Sequence, residues 1–205
     1  MPAVAASAER CSRALPFHMK FAVTVPPALD PISIAEAKAH CRVTSTDEDG
    51  LIAGYILAAR QYVESICGMA LITQTVEAYF DSFALLMLPR WPVQSVTSIS
   101  YLDNAGAAQT LSPSDYHVNS KARPAYVSRT YTGSWPDTYT RDNAVTVTLV
   151  VGFGDSPGSI PEPVRMAMLL LIGNWYENRE ATSPTTMAEI PFAAATLLAP
   201  YRVFY

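Results

Sequence analysis

Charged residues are scarce in this 205-residue chain, at 16% of the sequence against roughly 25% in a typical soluble domain. Half of the residues are hydrophobic. A chain with so few charges is expected to have much of its surface covered, by further copies of itself or by partner proteins. The net charge is −4, which gives no basic footprint and does not favour nucleic acid as a direct partner.

Cysteine and long apolar runs are also rare. Cys11, Cys41 and Cys67 form no close pair and leave one cysteine unmatched, which argues against a disulfide framework and fits a reducing cytoplasm. The longest apolar run, Met166 to Ile172, has about a third of the roughly 20 residues that a membrane span needs. The N-terminus lacks a basic stretch followed by a continuous apolar one, so no secretory signal is predicted.

Glycine is outnumbered by proline, and the one glycine cluster lies between a predicted strand and a predicted helix, at residues 152–158. This placement is typical of a phosphate-binding loop. However, no Gly-Lys-Ser/Thr follows, the spacing is not that of a dinucleotide loop, and no parallel strand comes after the helix. An ordinary strand-to-helix connection is therefore the favoured interpretation.

No catalytic, cofactor-binding or metal-binding residue is predicted. His18, His40 and His117 have no metal-ligand spacing, and the adjacent His40 and Cys41 would point about 100° apart on a helix. The acidic residues 47–49 lack the remaining ligands of a calcium loop and are explained by helix capping. The sequence contains neither a GxSxG motif nor a supported pairing of serine or cysteine with histidine.

Two helices are predicted in the first third of the chain. Residues 1–30 have no sustained periodicity and are predicted to form an extended N-terminal arm; Met19 is compatible with an alternative start. Ser33 and Glu36 have the spacing of a capping box, which predicts a helix ending near Arg42. A similar pattern at residues 45–48 predicts a second helix that Gly68 ends. Its predicted buried face consists of Leu51, Tyr55, Ala58, Ala59, Tyr62, Val63 and Ile66.

From residue 72 the apolar periodicity changes to two, which is typical of strands. The first strand is predicted to place Ile72, Gln74, Val76, Ala78 and Phe80 on one face. Further strands are predicted at Leu85 to Leu88, Val93 to Leu102, Ala108 to Leu111, Tyr116 to Asn119, Ala125 to Arg129 and Ala144 to Val151.

Helices return near the C-terminus. Pro161 suits the first turn of a helix that runs to about Glu180 and is apolar on nearly every side, so it should be buried or wedged between subunits. A short helix is predicted at Pro191 to Ala199, and Pro200 should end it and favour an extended tail. This order predicts an α+β fold with a mainly antiparallel central β region. The predicted parts are the arm at 1–30, a single domain at 31–199 and a tail at 200–205.

The end of the long helix combines aromatic and charged side chains. Trp175 continues the apolar stripe of Val164, Met168 and Leu171, so it belongs to the packed face. The charged residues of the last turn lie nearer to water. The pattern therefore predicts an interaction surface rather than a reaction site. The predicted subunit-interface residues are Trp175, Tyr176, Glu177 and Arg179.

Six stretches in a fixed order carry a family resemblance. They are residues 31–40 with the acidic 47–49, then 70–75, 88–96, 160–165, 175–180 and 198–202. Together they resemble the head–tail connector (adaptor) proteins of long-tailed bacteriophages, prophages and phage-like gene transfer agents. The resemblance covers about residues 31–205.

The resemblance implies a structural virion protein without catalytic activity, made in the bacterial cytoplasm and located at the head–tail junction of a virion or phage-like particle. It implies a ring of about twelve subunits closed by head-to-tail contacts. This ring would lie beneath the portal and extend the DNA channel without sequence-specific DNA binding. The implied partners are the portal protein, neighbouring adaptor subunits and a tail-side connector or stopper, with no cofactor and no membrane.

The C-terminal segment, Phe192 to Tyr205, is predicted to dock on the portal, because a tail with three aromatic residues and one arginine among its last five suits an interface better than bare solvent. An apolar stripe is expected at Phe192, Ala195, Leu198 and Ala199. The predicted docking residues are Phe192, Leu198, Pro200, Tyr201, Arg202, Val203, Phe204 and Tyr205. The alternative is that the tail folds back onto its own core.

Two other functions remain open from the sequence. One is another virion part, such as a tail-completion or baseplate protein. The other is a small soluble enzyme or ligand-binding α+β domain, which a deep pocket with converging titratable groups would favour. For a connector, the channel face is expected in the β region and should not be strongly basic, since DNA must slide past it.

Overall fold

The computed structural model describes residues 19–178 and 192–203. It contains a layer of helices and two β-sheets. The helices are α1 (Ile34–Cys41), α2 (Asp49–Cys67), α3 (Glu162–Glu177) and α4 (Phe192–Leu198). The strands are β1 (Lys20–Val25), β2 (Gln74–Phe80), β3 (Leu86–Met87), β4 (Val93–Leu102), β5 (Ala108–Thr110), β6 (Tyr116–Asn119), β7 (Tyr126–Arg129) and β8 (Val145–Val151).

Both sheets are antiparallel, which confirms the predicted α+β class. The larger sheet has the strand order β1-β2-β8-β4-β5, and the smaller one has the order β3-β7-β6. Strand β8 lies at the centre of the larger sheet, between β2 and β4. None of the helices in the described ranges combines the length and the apolar character needed to cross a membrane.

The first core lies between the two sheets and contains the apolar side chains that occupy every second position of β8. Val145, Val147, Leu149 and Val151 are all buried, as the sequence predicted. Val76 of β2 pairs directly with Leu149, and its neighbours on the same face are buried too. Leu86 and Val127 of the smaller sheet belong to the same cluster, so the smaller sheet covers this face.

The second core lies among the helices. Strand-like alternation stops at Gly152, and α3 then contributes the largest apolar surface. Its buried residues are Val164, Ala167, Met168, Leu169, Leu171 and Ile172. Helix α2 packs beside α3, and α4 covers a further side of α3. The expectation of a largely buried C-terminal helix is confirmed within a single subunit.

The predicted face of α2 is confirmed at Ala59 and Val63, but Leu51 and Ala58 are exposed and the fully buried stripe begins one residue later. The buried residues are Ile52, Ile56, Ala59, Val63 and Cys67, whereas Leu51 is 39% exposed. Both stripes are apolar, so periodicity alone did not distinguish them, and the position of α3 decides which one is buried. Ser45 was also expected to cap this helix, but the N-cap is Glu48 and Ser45 bonds to Asp47 instead.

Helix α1 begins where the sequence predicted. The Ser33 hydroxyl accepts a hydrogen bond from the Glu36 N–H at 3.2 Å. The Glu36 carboxylate accepts from Arg165 of α3 at 2.6 Å, so its charge ties two helices together. At the end of α1, Arg42 adopts a left-handed conformation and its N–H caps the helix.

Strand β1 is the edge of the larger sheet, and the sequence analysis assigned no strand to this stretch. Lys20 lies opposite Tyr79 and Val25 lies opposite Thr75, with an irregularity between Val23 and Val25. Five of its six side chains are exposed. An edge strand of this kind buries too little on either face to produce a clear hydrophobic alternation, which explains why it was missed.

Candidate subunit and partner interfaces

The predicted subunit-interface residues lie at the end of α3, and the first of them packs mainly against its own chain. The Trp175 ring lies 6.5 Å from Tyr55 and 6.3 Å from Tyr62, measured between ring centroids, and the second contact is edge-to-face. Trp175 is half-buried against the helical core. The interpretation of Trp175 as a packing residue is therefore confirmed, and only its outer part is available to another subunit.

The next two residues sit beside the end of α1. Tyr176 donates a hydrogen bond to Glu48, the N-cap of α2, and Glu177 is exposed. Gly173 permits the close approach of α1, because a Cβ at this position would lie 3.2 Å from the His40 ring. Arg179 lies outside the described residues.

The cleft between α1 and α3 holds a thiol. His40, Cys41 and Arg42 line it from α1, and Tyr176 and Glu177 line it from α3. Burial raises the pKa of the Cys41 thiol, and the negative charge of Glu177 raises it further. A thiol with a raised pKa is mostly protonated at neutral pH and is a weak nucleophile.

The C-terminal segment packs on the helical core through a face that differs from the predicted stripe. Ala194 and Leu198 are buried, whereas Phe192 is 84% exposed and Ala195 and Ala199 are also exposed. The expected stripe is therefore confirmed at Leu198 and wrong at Phe192, Ala195 and Ala199. Burial at positions i and i+4 reflects the side of α4 that faces α3, and alanine is small enough to lie at that contact.

Pro200 does not start an extended tail. It lies inside a 3₁₀ turn formed by Ala199–Tyr201, and the extended conformation begins at Arg202. A proline is tolerated in the first turn of a helix because its missing N–H would have no helical partner there. The prediction that Pro200 ends α4 is right, and the predicted extended conformation begins two residues later than expected, at Arg202.

Part of the tail folds back onto its own chain. The Val203 N–H donates to the Cys67 carbonyl at the end of α2, at 3.4 Å. Tyr201 and Val203 are half-buried against the helical core, and Arg202 and Pro200 are exposed. Phe204 and Tyr205 lie outside the described residues.

The residues that join the helical layer to the sheets were not singled out from the sequence. The Trp91 indole N–H donates to the Cys67 carbonyl at 3.1 Å, and the Val203 N–H donates to the same carbonyl. This one carbonyl therefore binds both the residues that lead into β4 and the C-terminal segment. Arg90 donates to the carbonyls of Glu64 and Met69. These contacts span more than twenty residues of sequence, and no local pattern indicates them.

Glu64 lies at the same joint. Its carboxylate accepts a hydrogen bond from the Leu71 N–H at 3.0 Å. Burial raises the pKa of this carboxyl, while that hydrogen bond and the positive charges of Arg90 and Arg60 oppose the rise. We refer to Glu64, Cys67, Arg90 and Trp91 as the interlayer joint.

The glycine cluster has a packing role. Gly152 has φ +127°, and a Cβ there would lie 2.7 Å from the Ile72 carbonyl, so this position needs glycine. Its carbonyl accepts from Gln94, and the Gly154 carbonyl accepts from the Thr73 N–H. Within the described ranges, no three His, Cys, Asp or Glu side chains gather as a metal site.

Several apolar side chains are exposed to solvent at the surface of the sheets. On β1, Val23 is 47% exposed and Val25 is 56% exposed. Leu85 is 55% exposed, and Tyr131 is fully exposed in the loop after β7. Singly scattered apolar residues are normal on a protein surface, but an edge strand that carries two of them is suited to a further contact.

A sequence model of the head completion protein family matches residues 31–204. The chain belongs to this family. It is therefore a structural component of a virion or phage-like particle rather than an enzyme, as the sequence analysis expected. The resemblance to head–tail connector proteins that the sequence analysis found is likewise confirmed.

Solved structures share the fold of this family member. One is a chain from the virion of a native gene transfer agent particle, with 22% identity and a TM-score of 0.75, over 91% of this chain and 97% of that one. Another comes from the neck of an empty gene transfer agent particle computed with C6 symmetry, with 22% identity, a TM-score of 0.76 and the same coverage.

A third similar chain comes from the neck of a native gene transfer agent particle computed with C12 symmetry. It has 23% identity and a TM-score of 0.68, over 92% of this chain and 97% of that one. No curated protein sequence matches the chain.

Proposed function

We propose that this head completion protein is a connector, or adaptor, at the head–tail junction of a virion or phage-like particle. In this role it forms a ring beneath the portal, extends the DNA channel and joins the capsid to the tail. The observation that carries the proposal is the family match over residues 31–204. The shared fold with chains from gene transfer agent necks supports it.

A ring is the assembly that fits this role. The similar chains belong to necks computed with C12 and C6 symmetry, and head-to-tail contacts close a ring when the rotation between subunits is right. The chain has few charged residues, and the apolar side chains of β1 and of Leu85 are exposed. Both features suit a protein that makes large contacts with other subunits. We assign one side of the subunit contact to the end of α3, where Glu177 is exposed.

The C-terminal segment is the proposed portal-docking element. Leu198, Tyr201 and Val203 hold it against its own helices, so they fix its position more than they offer a contact. Phe192 and Pro200 are exposed and available to a partner, and Arg202 of the same segment is exposed as well. Aromatic and arginine side chains of this kind often dominate interface energies.

The β region is proposed to line the DNA channel. The chain carries a net charge of −4, and a wall without a strong excess of cations would let DNA phosphates pass without salt-dependent retention. The remaining proposed partner is a tail-side connector or stopper that binds the opposite end of the ring.

Cryo-electron microscopy of particles that carry this chain tests the proposal. The expected result is a ring of this fold between the portal and the first tail component, with the C-terminal segment on the portal side. Density for the chain in the tail tube or baseplate would contradict the connector role. A matching experiment removes the gene and should give filled heads without attached tails.

A further inference from the structure

One hairpin of the smaller sheet carries positive charge and no negative charge. Between Asp115 and Asp137 the chain contains no acidic residue, but it contains Lys121, Arg123 and Arg129. The net charge of the whole chain is −4, so this stretch has the opposite sign to the chain as a whole. We refer to residues 116–129, which form β6, β7 and their connection, as the basic hairpin.

The cations of the basic hairpin have no carboxylate partner in the described parts of the chain. Lys121, Arg123 and Arg129 are all exposed, and none of them forms an ion pair there. Arg123 lies over the Trp91 ring, and Arg129 donates to the Gly133 carbonyl at 3.4 Å, so both are positioned without being neutralised. Four cations elsewhere each pair with a carboxylate: Lys20, Lys38, Arg60 and Arg165.

The outward face of the basic hairpin is suited to contact with another protein. Val127 packs inward on the core between the sheets, whereas the neighbouring Tyr126 is 38% exposed. The Asn119 amide donates to the Tyr126 hydroxyl at 3.0 Å and holds this ring in one position. Tyrosine and arginine side chains of this kind often dominate the energy of protein interfaces.

The far end of the helical layer carries the opposite charge. Asp47 and Glu177 are exposed where α2 begins and α3 ends, and Tyr176 connects α3 to Glu48 by a hydrogen bond. Arg42 lines the cleft beside Glu177, but the three carboxylates outnumber it. We refer to Asp47, Glu48 and Glu177 as the acidic end.

The basic hairpin and the acidic end are far apart in one chain. Arg123 lies over Trp91, and the Trp91 indole bonds to the carbonyl of Cys67, the last residue of α2. The acidic end lies at the start of α2, and this helix of 19 residues is about 28 Å long. A contact between the two surfaces therefore needs two copies. Because the surfaces differ, this contact is head-to-tail and can repeat around a ring.

We propose that the basic hairpin of one copy binds the acidic end of the next copy. It would supply the second side of the subunit contact that we assigned to the end of α3, so the inference rests on the ring of the proposed function. Opposite charges on two surfaces steer and align their association. This contact turns the hairpin cations towards a neighbouring subunit and away from DNA phosphates, in keeping with a channel wall that has no strong excess of cations.

An exchange of charges tests the proposal in a producing strain that lacks its own copy of the gene. Lys121→Glu with Arg129→Glu should reduce the number of tailed particles by at least about tenfold, because like charges would then face each other. Asp47→Lys with Glu177→Lys should have the same effect. All four changes together should restore the number of tailed particles to within about threefold of the parent, since the attraction is then re-formed with exchanged signs.

Arg141→Glu is the matched control for Arg129→Glu alone, since Arg141 is an exposed arginine outside the basic hairpin. The control should keep its tails, while Arg129→Glu should lose them. Tails that survive both paired variants, or that the four changes fail to restore, would overturn the proposal. Unrestored loss of tails together with weaker binding of duplex DNA by Lys121→Glu with Arg129→Glu would assign the basic hairpin to DNA instead.

Carbodiimide crosslinking measures the same contact without counting tails. This reagent joins a lysine to a carboxylate only where the two groups touch. In purified particles and in concentrated purified chain, it should give a product of twice the subunit mass in which Lys121 is joined to the acidic end. Absence of this product from both preparations would overturn the proposal. If deletion of the gene leaves tails attached, the connector role fails, and the crosslink alone decides whether two copies meet at these surfaces.

Discussion

At the scale of single residues, the interlayer joint concentrates several hydrogen bonds on one carbonyl and one carboxylate. The Cys67 carbonyl accepts from Trp91 and Val203, and Glu64 satisfies the Leu71 N–H just beyond the end of α2. A buried N–H without a partner costs about 1–3 kcal/mol. Glu64 is therefore useful as an acceptor even though its ionisation is opposed by burial.

Glu64→Gln should separate these two effects. Burial raises the pKa of Glu64 above its ordinary 4.5, so the folded chain holds this proton more tightly than the unfolded chain. The ionised carboxylate therefore costs stability above the raised pKa, and the cost vanishes as the pH falls to the ordinary value. Glutamine keeps an acceptor for Leu71, so the variant should be neutral or up to about 1 kcal/mol more stable at pH 7.

Urea unfolding at a series of pH values measures this effect, and the difference from the parent chain should shrink towards pH 4. Glu64→Ala is the control, because it removes the acceptor and should lose about 1–3 kcal/mol at every pH. A Glu64→Gln variant that is markedly less stable than the parent chain at pH 7, by more than at pH 4, would show that the arginine attraction outweighs burial.

Trp175→Ala tests whether this residue is first a packing residue. Its ring contacts Tyr55 and Tyr62 within one subunit. Because it is half-buried, its loss should lower the free energy of unfolding by about 2–4 kcal/mol in the isolated chain. Tyr131→Ala, at a fully exposed position, should change it by less than about 0.5 kcal/mol in the same denaturation experiment. Similar stability for both variants would assign Trp175 wholly to contacts between subunits.

At the scale of helices and strands, the elements whose burial alternates clearly along the sequence were the ones that could be predicted. Strand β8 was predicted because burial alternates along it, from Val145 to Val151. The face of α2 was only partly predicted, because Leu51 and Ile52 are both strongly apolar and a neighbouring helix decides which of them is buried. Strand β1 and the 3₁₀ turn at Pro200 depend on contacts far away in sequence. The joint could not be predicted for the same reason, since Arg90 bonds to carbonyls that lie on another element.

A pair of glycine variants tests the strand-to-helix connection. At Gly152 both φ and the 2.7 Å approach to Ile72 exclude a Cβ, so Gly152→Ala should lose at least about 2 kcal/mol of stability. Gly54 lies inside α2 with open space around it, and Gly54→Ala should gain about 0.5–1 kcal/mol. Thermal unfolding measures both. An unchanged melting temperature for Gly152→Ala would contradict the described close approach.

At the scale of the whole molecule, two cores meet at the end of α2. One lies between the sheets and the other among the helices, and Trp91 belongs to the helical core although it lies only two residues before β4. The C-terminal segment binds at this meeting point through Val203. A partner that holds the segment would therefore contact the chain where both cores are connected.

Phe192→Ser is the most specific test of portal docking. The residue is 84% exposed, so the variant should keep the stability of the parent within about 0.5 kcal/mol. If Phe192 anchors the segment, portal binding should weaken by about 2 kcal/mol or more, which is roughly thirtyfold in Kd. Leu57→Ser, at another exposed apolar position, is the control and should bind normally. Unchanged binding by Phe192→Ser in sedimentation or calorimetry would remove it from the proposed site.

Truncation after Ala199 examines the rest of the segment. It removes the Val203 hydrogen bond and the contacts of Tyr201, so a loss of roughly 1–3 kcal/mol in folding stability is expected. The shortened chain should still fold, as judged by circular dichroism, and should no longer bind the portal. Retained binding would place the docking site elsewhere, and complete unfolding would show that the segment serves mainly its own subunit.

The three tryptophans occupy three different parts of the structure, which gives each part its own fluorophore. Trp135 stacks on Phe83 at 4.9 Å in the sandwich of sheets, Trp175 lies among helix tyrosines, and Trp91 lies under the Arg123 guanidinium at 4.0 Å. Emission from a chain that retains a single tryptophan therefore reports on one region alone. With three such chains, tryptophan fluorescence follows the order in which the sheets, the helices and their junction unfold, both in the free subunit and during assembly.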